Sequence, residues 1–537
     1  MSNQASSVVA RKLEDVFLLL LQRCSSMGGM KRIHALVIKL SLSQSNFLVT
    51  QMLDVCDKNS EVHYANLLFK HMPEPNIFVY NAMVRTCTHS HVYALAITVY
   101  KELLRRPNAK NSTLPNSYTF PFVVKSCVGI CSDRLGRQVH GHVCKFGPKD
   151  NIATQNSLID MYARFDYLAE AGKVFDEMSG RDSISWNCLI SVHLKLGQVQ
   201  KASEMFEEMP EKTVVSWTTL ITGYAKNGSY AKALDVFRQM QMAGLSPDVV
   251  CLVAVLPACS QLGALELGKW IHFYANKNGF LQSTYLCNAL IEMYANCGCI
   301  NEAIQLFDRM PHRDVISWST IIGALANHGR AREAIELFRR MQEDKVAPNN
   351  VTFLGLLTAC AHAGFFDEGR SYFDMMRDEY HIEPEREHYC CLVDILGRAG
   401  HLDRALHLLT NMPVKPDVAT WASLLSSCRT HRNLEIASIA MKHLQELDPS
   451  DTGNYILFAN IYADCGEWGS VSDIRRFIKS NRMKKTPGCS LIEVNNRVVE
   501  FASGAEIGPC PWLMVSVLEL LAWHLTSCKI LGEDDEY

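Results

Sequence analysis

One pattern recurs along the chain and constrains its fold more than any other feature: an alanine, a phenylalanine four residues later and a methionine three residues after that. The alanines of its copies lie 31, 31, 70 and 31 residues apart, and 70 is two steps of 35. The copies are Ala171/Phe175/Met178, Ala202/Phe206/Met209, Ala233/Phe237/Met240, Ala303/Phe307/Met310 and Ala334/Phe338/Met341. Two further markers agree: Trp186 and Trp217 are 31 residues apart, and the G-[KR]-x-x-H elements that begin at Gly136 and Gly268 are 132 apart. A fixed period of this length indicates an array of repeats.

The hydrophobic pattern inside one repeat is that of two helices separated by a short polar break. In residues 152–182, apolar side chains at helical spacing form two stripes, and the break between them is Arg164–Leu168. The stripes are Leu158, Ile159 and Tyr162, then Ala171, Val174, Phe175 and Met178. Neither helix could bury its stripe alone, so neighbouring repeats must stack. The pattern therefore predicts an all-α solenoid of antiparallel helix pairs.

The markers divide residues 14–417 into twelve repeats, mainly of about 31 or 35–36 residues. The repeats are 14–46, 47–76, 77–116, 117–151, 152–182, 183–213, 214–248, 249–283, 284–314, 315–349, 350–385 and 386–417. The longest, 77–116, carries an insertion around Arg106–Leu114, which we predict to be a surface loop. Before the array, residues 1–13 contain Arg11, Lys12 and three serines but no acidic residue, which is weakly similar to an organelle targeting segment.

The composition is that of a folded protein and gives no support for several function classes. Hydrophobic residues make up 48% of the 537 residues, yet no apolar run reaches the roughly 18 residues of a membrane-spanning helix. The net charge of −3 offers no bulk attraction for a polyanion, so nucleic-acid binding would have to come from individual positions. The 20 cysteines include no C-x-x-C pair, which argues against zinc ribbons and dithiol redox sites. We predict that the cysteines are small buried residues in a reducing compartment.

The repeats resemble pentatricopeptide repeats, as in VVSWTTLITGYAKNGSYAKALDVFRQMQMAGLSPD at Val214–Asp248. Their alternating lengths resemble the P, L and S motifs of the PLS subfamily of land-plant organelle proteins. Two segments of the chain show this. The segment FPFVVKSC…GRQVHGHVCKFG resembles the L type, and NSLIDMYARFDYLAEAGKVFDEM resembles the S type. The resemblance implies a right-handed superhelical solenoid of antiparallel helix pairs.

The chain after Asp417 also resembles parts of this subfamily. The segment TWASLLSSCRTHRNLEIASIA is similar to a first E motif and NYILFANIYADCGEWGSVSDIRRFIKSNRMKK to a second, so residues 418–485 are predicted to hold two E motifs. The segment TPGCSLIEVNNRVVEF resembles the start of an E-plus extension. Residues 486–537 are therefore interpreted as a truncated extension with an acidic tail.

No catalytic centre is predicted. Many members of the subfamily continue into a cytidine deaminase-like domain, which needs zinc and the pattern H-x-E…P-C-x-x-C. The chain has one H-x-E, at His381–Glu383, without a later C-x-x-C, and the 36 residues after Phe501 are too few for that domain. The segment Gly263–Lys269 fits G-x-x-x-x-G-K, but Trp270 stands where a P-loop needs Ser or Thr. We expect no enzyme activity, no metal and no cofactor.

The resemblance implies that the repeats bind single-stranded RNA, one base per repeat, through two side chains. These are the fifth residue of the first helix and the last residue of the repeat. The implied pairs are Asn81/Asn116, Asn156/Asp182, Asn187/Thr213, Thr218/Asp248, Asn288/Asp314 and Ser319/Asn349. Asp only accepts hydrogen bonds whereas Asn donates and accepts, so the two suit different base edges. Val215 and Ile316, near the starts of their repeats, are expected to sandwich the base.

By the family's code, Asn with Asp suggests uridine, Asn with Asn a pyrimidine, Thr with Asp guanosine and Ser with Asn adenosine. Asn187/Thr213 departs from the code and is interpreted as a weak pyrimidine reader. Pro121, Val253 and Leu354, at the fifth position of L-type repeats, can make no side-chain hydrogen bond. From repeat 77–116 onward, the expected RNA is Y-N-U-Y-G-N-U-A-N-N, where Y is a pyrimidine and N any base.

A structural alternative to base reading stays open for these positions. The fifth Asn could be a helix-start residue that satisfies backbone groups, and the final Asp could be the N-cap of the next helix. The two roles could also coexist in one residue.

We predict a sequence-specific RNA-binding factor that selects a site for C-to-U editing of an organelle transcript. The E motifs favour recruitment of a deaminase in trans, from a DYW-type pentatricopeptide protein, together with other organellar editing factors. The resemblance favours the mitochondrion, with the chloroplast as the alternative. Two other hypotheses stay open: a factor for RNA stabilisation, processing or splicing, and a TPR-like protein-binding scaffold without sequence-dependent RNA affinity.

Overall fold

A computed structural model describes residues 13–105, 114–147, 151–481, 483, 489–494 and 497–502. The predicted targeting segment at 1–13 and the predicted loop at Arg106–Leu114 lie almost entirely outside the described residues, as do residues 503–537 of the predicted extension. The chain divides into two compact bodies, Met1–Gly228 and Ser229–Tyr537. They are called the N-terminal body and the C-terminal body below.

The helices of the N-terminal body come in pairs, with a first and a second helix in each predicted repeat, and the body ends on the first helix of repeat 214–248. The helices are α1 (described over residues 13–22), α2 (Met27–Lys39), α3 (Asn46–Lys58), α4 (Val62–Lys70), α5 (Ile77–His89), α6 (Tyr93–Arg105), α7 (Phe120–Gly129), α8 (Asp133–Phe146), α9 (Ile152–Arg164), α10 (Leu168–Asp176), α11 (Ser183–Lys195), α12 (Val199–Glu208) and α13 (Val214–Lys226).

The C-terminal body continues the same pairing and carries it into the E region. Its helices are α14 (Tyr230–Met242), α15 (Val249–Leu262), α16 (Leu265–Lys277), α17 (Thr284–Asn296), α18 (Ile300–Arg309), α19 (Val315–Asn327), α20 (Ala331–Glu343), α21 (Asn350–Ala363), α22 (Phe366–Asp378), α23 (Arg386–Arg398), α24 (Leu402–Asn411), α25 (Val418–Thr430), α26 (Leu434–Leu447), α27 (Thr452–Asp464) and α28 (Trp468–Ser480), with a short 3-10 helix at Phe280–Gln282. The prediction of an all-α solenoid of helix pairs is confirmed for the repeats.

The recurring phenylalanine of the second helix joins one repeat to the next. Phe307 on α18 is fully buried, and its ring centroid lies 4.8 Å from that of Trp318, the fourth residue of α19, in an edge-to-face contact. The same contact joins Phe175 to Trp186 at 4.9 Å. Aromatic pairs of this kind add to the stabilisation that comes from the burial of their own surface. The sequence marker of the period is therefore the residue that holds neighbouring repeats together.

The G-[KR] element of the L-type repeats is explained by close helix packing. A Cβ atom on Gly268 of α16 would lie 2.4 Å from Sδ of Met293 on α17. A Cβ on Gly136 of α8 would lie 2.5 Å from Sδ of Met161 on α9. Both distances are shorter than van der Waals contact, so a glycine lets the second helix approach the next repeat. The apparent G-x-x-x-x-G-K motif thus ends inside a packed helix.

One first helix begins later than the repeat pattern predicts. Repeat 117–151 should begin its helix at 117, but residues 117–119 form a turn and α7 begins at Phe120. Pro121 has no N–H group to donate back to residue 117, which interrupts the regular hydrogen-bond ladder at this point. Asn116 closes the turn before this helix, because its Oδ1 accepts the N–H of Thr119 at 3.2 Å.

The E region is packed directly onto the last repeats. A continuous apolar core of the C-terminal body includes Leu392 and Leu409 of the last repeat and Trp421, Met441 and Ile461 of the E region. Helices α25–α28 therefore extend the stack of helix pairs. Beyond them the described chain contains an antiparallel β-hairpin, which the all-α prediction did not include. Its strands are β1 (Cys489–Val494) and β2 (Arg497–Ala502), with Cys489 opposite Ala502 and Val494 opposite Arg497.

The prediction that the cysteines are buried is only partly confirmed. Burial raises the pKa of the Cys56, Cys87 and Cys127 thiols to about 12, so these groups stay protonated and unreactive. In contrast, Cys131 and Cys144 are exposed, contrary to the prediction. Both lie at or near the helix ends of repeat 117–151, where the side chain points away from the packed stripe. None of the described helices combines the length and the apolar character needed to cross a membrane.

Candidate nucleic-acid interface

The last residue of a repeat caps the first helix of the next repeat. Asp182 is the N-cap of α11, and its Oδ1 accepts the backbone N–H of Ser185 at 2.8 Å. Asp314 caps α19 in the same way, accepting the N–H of Ser317 at 2.9 Å. Thr213, Asp248 and Asn349 cap α13, α15 and α21. The capping alternative raised for these positions is therefore correct, and these side chains are fixed in place by the helix that follows.

The fifth residue of the first helix contacts the last residue of the same repeat, which caps the following first helix. The side-chain amide of Asn156 donates from Nδ2 to Oδ1 of Asp182 at 3.2 Å. Equivalent bonds run from Asn81 to Asn116 at 3.1 Å, from Asn288 to Asp314 at 3.4 Å and from Ser319 to Asn349 at 3.2 Å. The structure thus joins four of the predicted pairs. It gives the fifth residue a side-chain partner at the end of its own repeat, where the next helix begins.

The other two predicted pairs differ from these four. Among the described residues, no hydrogen bond joins Asn187 to Thr213, whose hydroxyl instead lies 2.9 Å from Oγ of Ser216. Thr218 lies in the N-terminal body, and its hydroxyl donates to the carbonyl of Val214 at 2.8 Å. Asp248 lies in the C-terminal body, is exposed and accepts the N–H of Cys251 at 2.8 Å.

The aspartates of the joined pairs are held in the ionised form. Burial by itself would raise the pKa of Asp182, but the bonds from the Ser185 N–H, the Ser185 hydroxyl and the Asn156 amide outweigh it, so the pKa lies below its ordinary value. The pKa of Asp314 is lowered by the same balance, with Ser317 and Asn288 as the donors. At neutral pH each carboxylate is therefore a pure acceptor. For Asp182 these side-chain and backbone bonds all end on Oδ1, and Oδ2 takes no part in them.

The amide oxygens of three fifth-position asparagines have no partner. Oδ1 of Asn156, Asn187 and Asn288 is buried and accepts no hydrogen bond within the described part of the chain. A buried polar atom without a partner costs about 1–3 kcal/mol of folding stability. An asparagine kept at such a position is better explained by a function than by packing.

An exposed apolar side chain stands at the second position of most first helices. Val215 and Ile316, predicted to sandwich a base, are 60% and 56% exposed. Only these two were predicted from the sequence, but the same position carries further exposed apolar residues. They are Phe47, Phe78, Ile184, Val250, Tyr285 and Val351. Counting from the capping residue would have found all of them, since the spacing is fixed by the repeat.

The H-x-E motif, which resembles part of a zinc site, does not belong to a metal site in the described residues. The residues that the structure covers contain no cluster of three or more His, Cys, Asp or Glu that could hold a metal ion. His381, of the single H-x-E motif, lies between α22 and α23 with a left-handed backbone, φ 55°.

Comparison with known families and structures agrees with this architecture. The pattern described as PPR repeat matches residues 156–183, 184–214, 285–315, 351–381 and 387–415, and the pattern described as PPR repeat family matches 212–261 and 313–362. The pattern described as E motif matches 431–493. Among solved structures, the pentatricopeptide repeat protein PPR10 from maize is similar in fold, with 16% identity, a TM-score of 0.51 and coverage of 87% of this chain and 78% of that one.

Curated relatives are similar over almost the whole chain. Pentatricopeptide repeat-containing protein At2g20540 of Arabidopsis thaliana is 56% identical over 515 residues, which cover 96% of each chain. Pentatricopeptide repeat-containing protein At2g42920, chloroplastic, of the same plant is 42% identical, covering 94% of this chain and 90% of the relative. With this identity over this length, the chain belongs to the pentatricopeptide repeat family and carries an E motif.

Proposed function

We propose that the chain binds single-stranded RNA sequence-specifically, with one base for each repeat that carries a joined pair. The observation that carries the proposal is the hydrogen bond that ties Asn156 to Asp182 and recurs between Asn288 and Asp314. It places a donor and an ionised acceptor side by side at the same point of separate repeats. The exposed apolar residue at the second helix position supplies a surface for the face of the base.

The chemistry of the Asn/Asp pair fits uracil. Uracil presents an N3–H donor beside a carbonyl acceptor, and the carboxylate oxygen Oδ2 of Asp182 can accept the former. The second N–H of the Asn156 amide can donate to the carbonyl. Cytosine has an acceptor at N3, which a carboxylate repels. A pair of this kind should discriminate by about 1–3 kcal/mol, as in other hydrogen-bonded base recognition.

We further propose that the RNA is an organelle transcript and that binding selects a cytidine for C-to-U editing. In this proposal the repeats are of the PLS type, and the E region recruits a deaminase-bearing pentatricopeptide protein and other editing factors in trans. The E motif match at 431–493 supports editing over RNA stabilisation, processing or splicing. The proposed organelle is the mitochondrion, with the chloroplast as the alternative.

The binding proposal is tested with the purified chain and RNA oligonucleotides that contain Y-N-U-Y-G-N-U-A-N-N. Replacement of the third or the seventh base, each a uridine, by cytidine should weaken binding about tenfold. A scrambled oligonucleotide of the same composition is the control. Equal affinity for all of these RNAs would contradict sequence-specific binding and favour a protein-binding scaffold.

The editing proposal is tested in a loss-of-function line by sequencing of mitochondrial and chloroplast cDNA. We expect one or a few cytidines to lose editing a short distance downstream of the predicted sequence. Altered RNA ends or retained introns with every cytidine edited as in wild type would exclude editing and support the processing hypothesis.

A further inference from the structure

A serine or threonine whose hydroxyl is completely buried lies three residues after the last residue of seven repeats, which is the third position of the next first helix in six of them. Counted from the cap, it occurs at the same place in repeats of both bodies. The residues are Thr119, Thr154, Ser185, Ser216, Ser317, Thr352 and Thr420, each with 0% of its surface exposed. Asp248 is followed instead by Cys251 at this position, and Glu385 by His388.

The hydroxyl contacts the final side chain of the preceding repeat. Oγ of Ser185 donates to Oδ1 of Asp182 at 2.7 Å, and Oγ of Ser317 donates to Oδ1 of Asp314 at 2.8 Å. Both bonds are shorter than those that the same oxygens receive from the fifth-position asparagines. The hydroxyl is therefore the closest side-chain partner of the carboxylate.

In two other repeats the hydroxyl touches both members of the pair. Oγ1 of Thr119 donates to Oδ1 of Asn81 at 2.6 Å and lies 3.2 Å from Oδ1 of Asn116. Oγ1 of Thr352 lies 2.8 Å from Oγ of Ser319 and 3.0 Å from Oδ1 of Asn349. A buried group between the two side chains fixes their relative orientation.

Helix capping alone does not require this hydroxyl. The cap needs a backbone N–H at the third position, which any residue other than proline supplies, and Asp248 accepts such an N–H from Cys251 at 2.8 Å. The hydroxyl also accepts the N–H of the capping residue, as Ser185 does from Asp182 at 3.3 Å. That reciprocal bond stabilises the helix end. Of the two bonds that the hydroxyl makes, only the one to Oδ1 orients the carboxylate.

We propose that the buried hydroxyl at the third position is a positioning residue for base recognition in the preceding repeat. It holds Oδ1 of the final Asp or Asn, so that the other polar atom of that side chain faces the base edge. This inference rests on the proposed RNA binding, and it assigns to each joined pair a third residue that does not itself touch the base.

The test compares Ser185→Ala and Ser317→Ala, each measured on RNAs that carry uridine or cytidine at the third or the seventh base. Ser185→Ala should reduce the preference for uridine at the third base about fivefold and leave the preference at the seventh base unchanged. Ser317→Ala should do the reverse. Ser185→Thr restores the hydroxyl and should restore the preference.

The matched control is Thr154→Ala. Thr154 makes the same bond, to Oδ1 of Asn151 at 3.0 Å, but Asn151 closes a repeat whose fifth residue is Pro121, which can form no pair. This variant should lower the melting temperature without changing the preference at any base. It separates the loss of a helix cap from the loss of positioning.

Three results distinguish the possibilities. If the wild-type chain prefers uridine and Ser185→Ala keeps the full preference at the third base, the hydroxyl only caps the helix and the inference is wrong. The inference is also wrong if Ser185→Ala weakens binding to all RNAs equally, because a loss of positioning should act at one base alone. If the wild-type chain shows no base preference, the proposed function fails instead.

Discussion

The first and second helices of the repeats differ in how they begin. First helices such as α9, α11 and α19 begin at a side chain that bonds the backbone of the first turn. Second helices such as α10, α18 and α20 begin without any such bond. The second helices α2 and α8 do have a serine cap. Since α10, α18 and α20 form without one, packing of the apolar stripe is sufficient there. The Asp and Asn residues that start first helices combine this capping bond with a bond to the fifth-position side chain, as Asp182 and Asp314 do.

The two helices also differ in what they bury. The second helices place Ala303, Phe307 and their equivalents in the core, whereas the first helices leave an apolar residue such as Ile316 in solvent. Both helices of a pair supply core residues, including Trp318 on a first helix, but the candidate RNA contacts lie on the first helices and the residues that cap them. Substitutions that separate these two roles are the means of testing the comparison.

The largest effect is expected from Phe307→Ala on a second helix. Phe307 is fully buried against Trp318, so its removal should lower the free energy of unfolding by about 3–5 kcal/mol, measured by urea denaturation. The control on a first helix is Ile316→Ser, which should change stability by no more than about 0.5 kcal/mol. Similar losses in both variants would contradict the division of roles.

A smaller effect, on binding alone, is expected from Asp314→Asn. Asn caps a helix as well as Asp does, so stability should hold, but the carboxylate that accepts from uracil is lost. The preference for uridine over cytidine at the seventh base should fall by about 1–3 kcal/mol, measured by fluorescence anisotropy. The preference at the third base is the internal control, and its loss would mean that the substitution acts through folding.

Asn156→Leu tests the other member of a pair, the fifth residue of the first helix. The substitution removes a buried oxygen that has no partner but also the amide bond to Asp182, and since the two changes oppose each other, stability should stay within about 1 kcal/mol of wild type. Discrimination at the third base should weaken, because the donor to the uracil carbonyl is lost while Asp182 can still accept from N3–H. A strong destabilisation would show that Asn156 is a structural residue.

The smallest effect is a dependence on pH. The folded state lowers the pKa of Asp182 and Asp314 below the ordinary value of 3.8, so both ionise more readily when folded. Their contribution to stability is complete above pH 3.8 and is lost as the pH falls through the lowered pKa. Uridine preference should be constant from about pH 5 to pH 8, and Asp182→Asn should lose less stability than wild type below about pH 4. A loss of preference near pH 6 would point to a titrating histidine.

Much of the fold could be predicted because the period and the caps specify it together. The first helices α9, α11, α13 and α15 begin at the first residue of a predicted repeat. The late start of α7 differs from the period because Pro121 lacks an N–H. The hairpin could have been predicted from the β-branched residues of SLIEV and RVVEF on either side of an Asn-Asn pair.

The candidate site was only partly predictable. The pairs came from the resemblance, but the bond between Asn156 and Asp182 depends on how two repeats stack, which no spacing along the chain specifies. The hydroxyl of Ser185 could not be distinguished in the sequence, because a serine at the third helix position is expected for any capping box. Its contact with the carboxylate depends on the side-chain geometry.

The capping bond made by the last residue of a repeat limits which recognition chemistries the chain can adopt. That side chain must start the next helix, and Asn, Asp, Ser and Thr do this best. Lysine, arginine and glutamine, which have hydrogen-bonding groups of their own, cap a helix less well, so the folding of the next repeat disfavours them at this place. Folding therefore limits the set of side chains that such an array can use to recognise bases from this position. Introducing a different side chain there requires another way to cap the following helix.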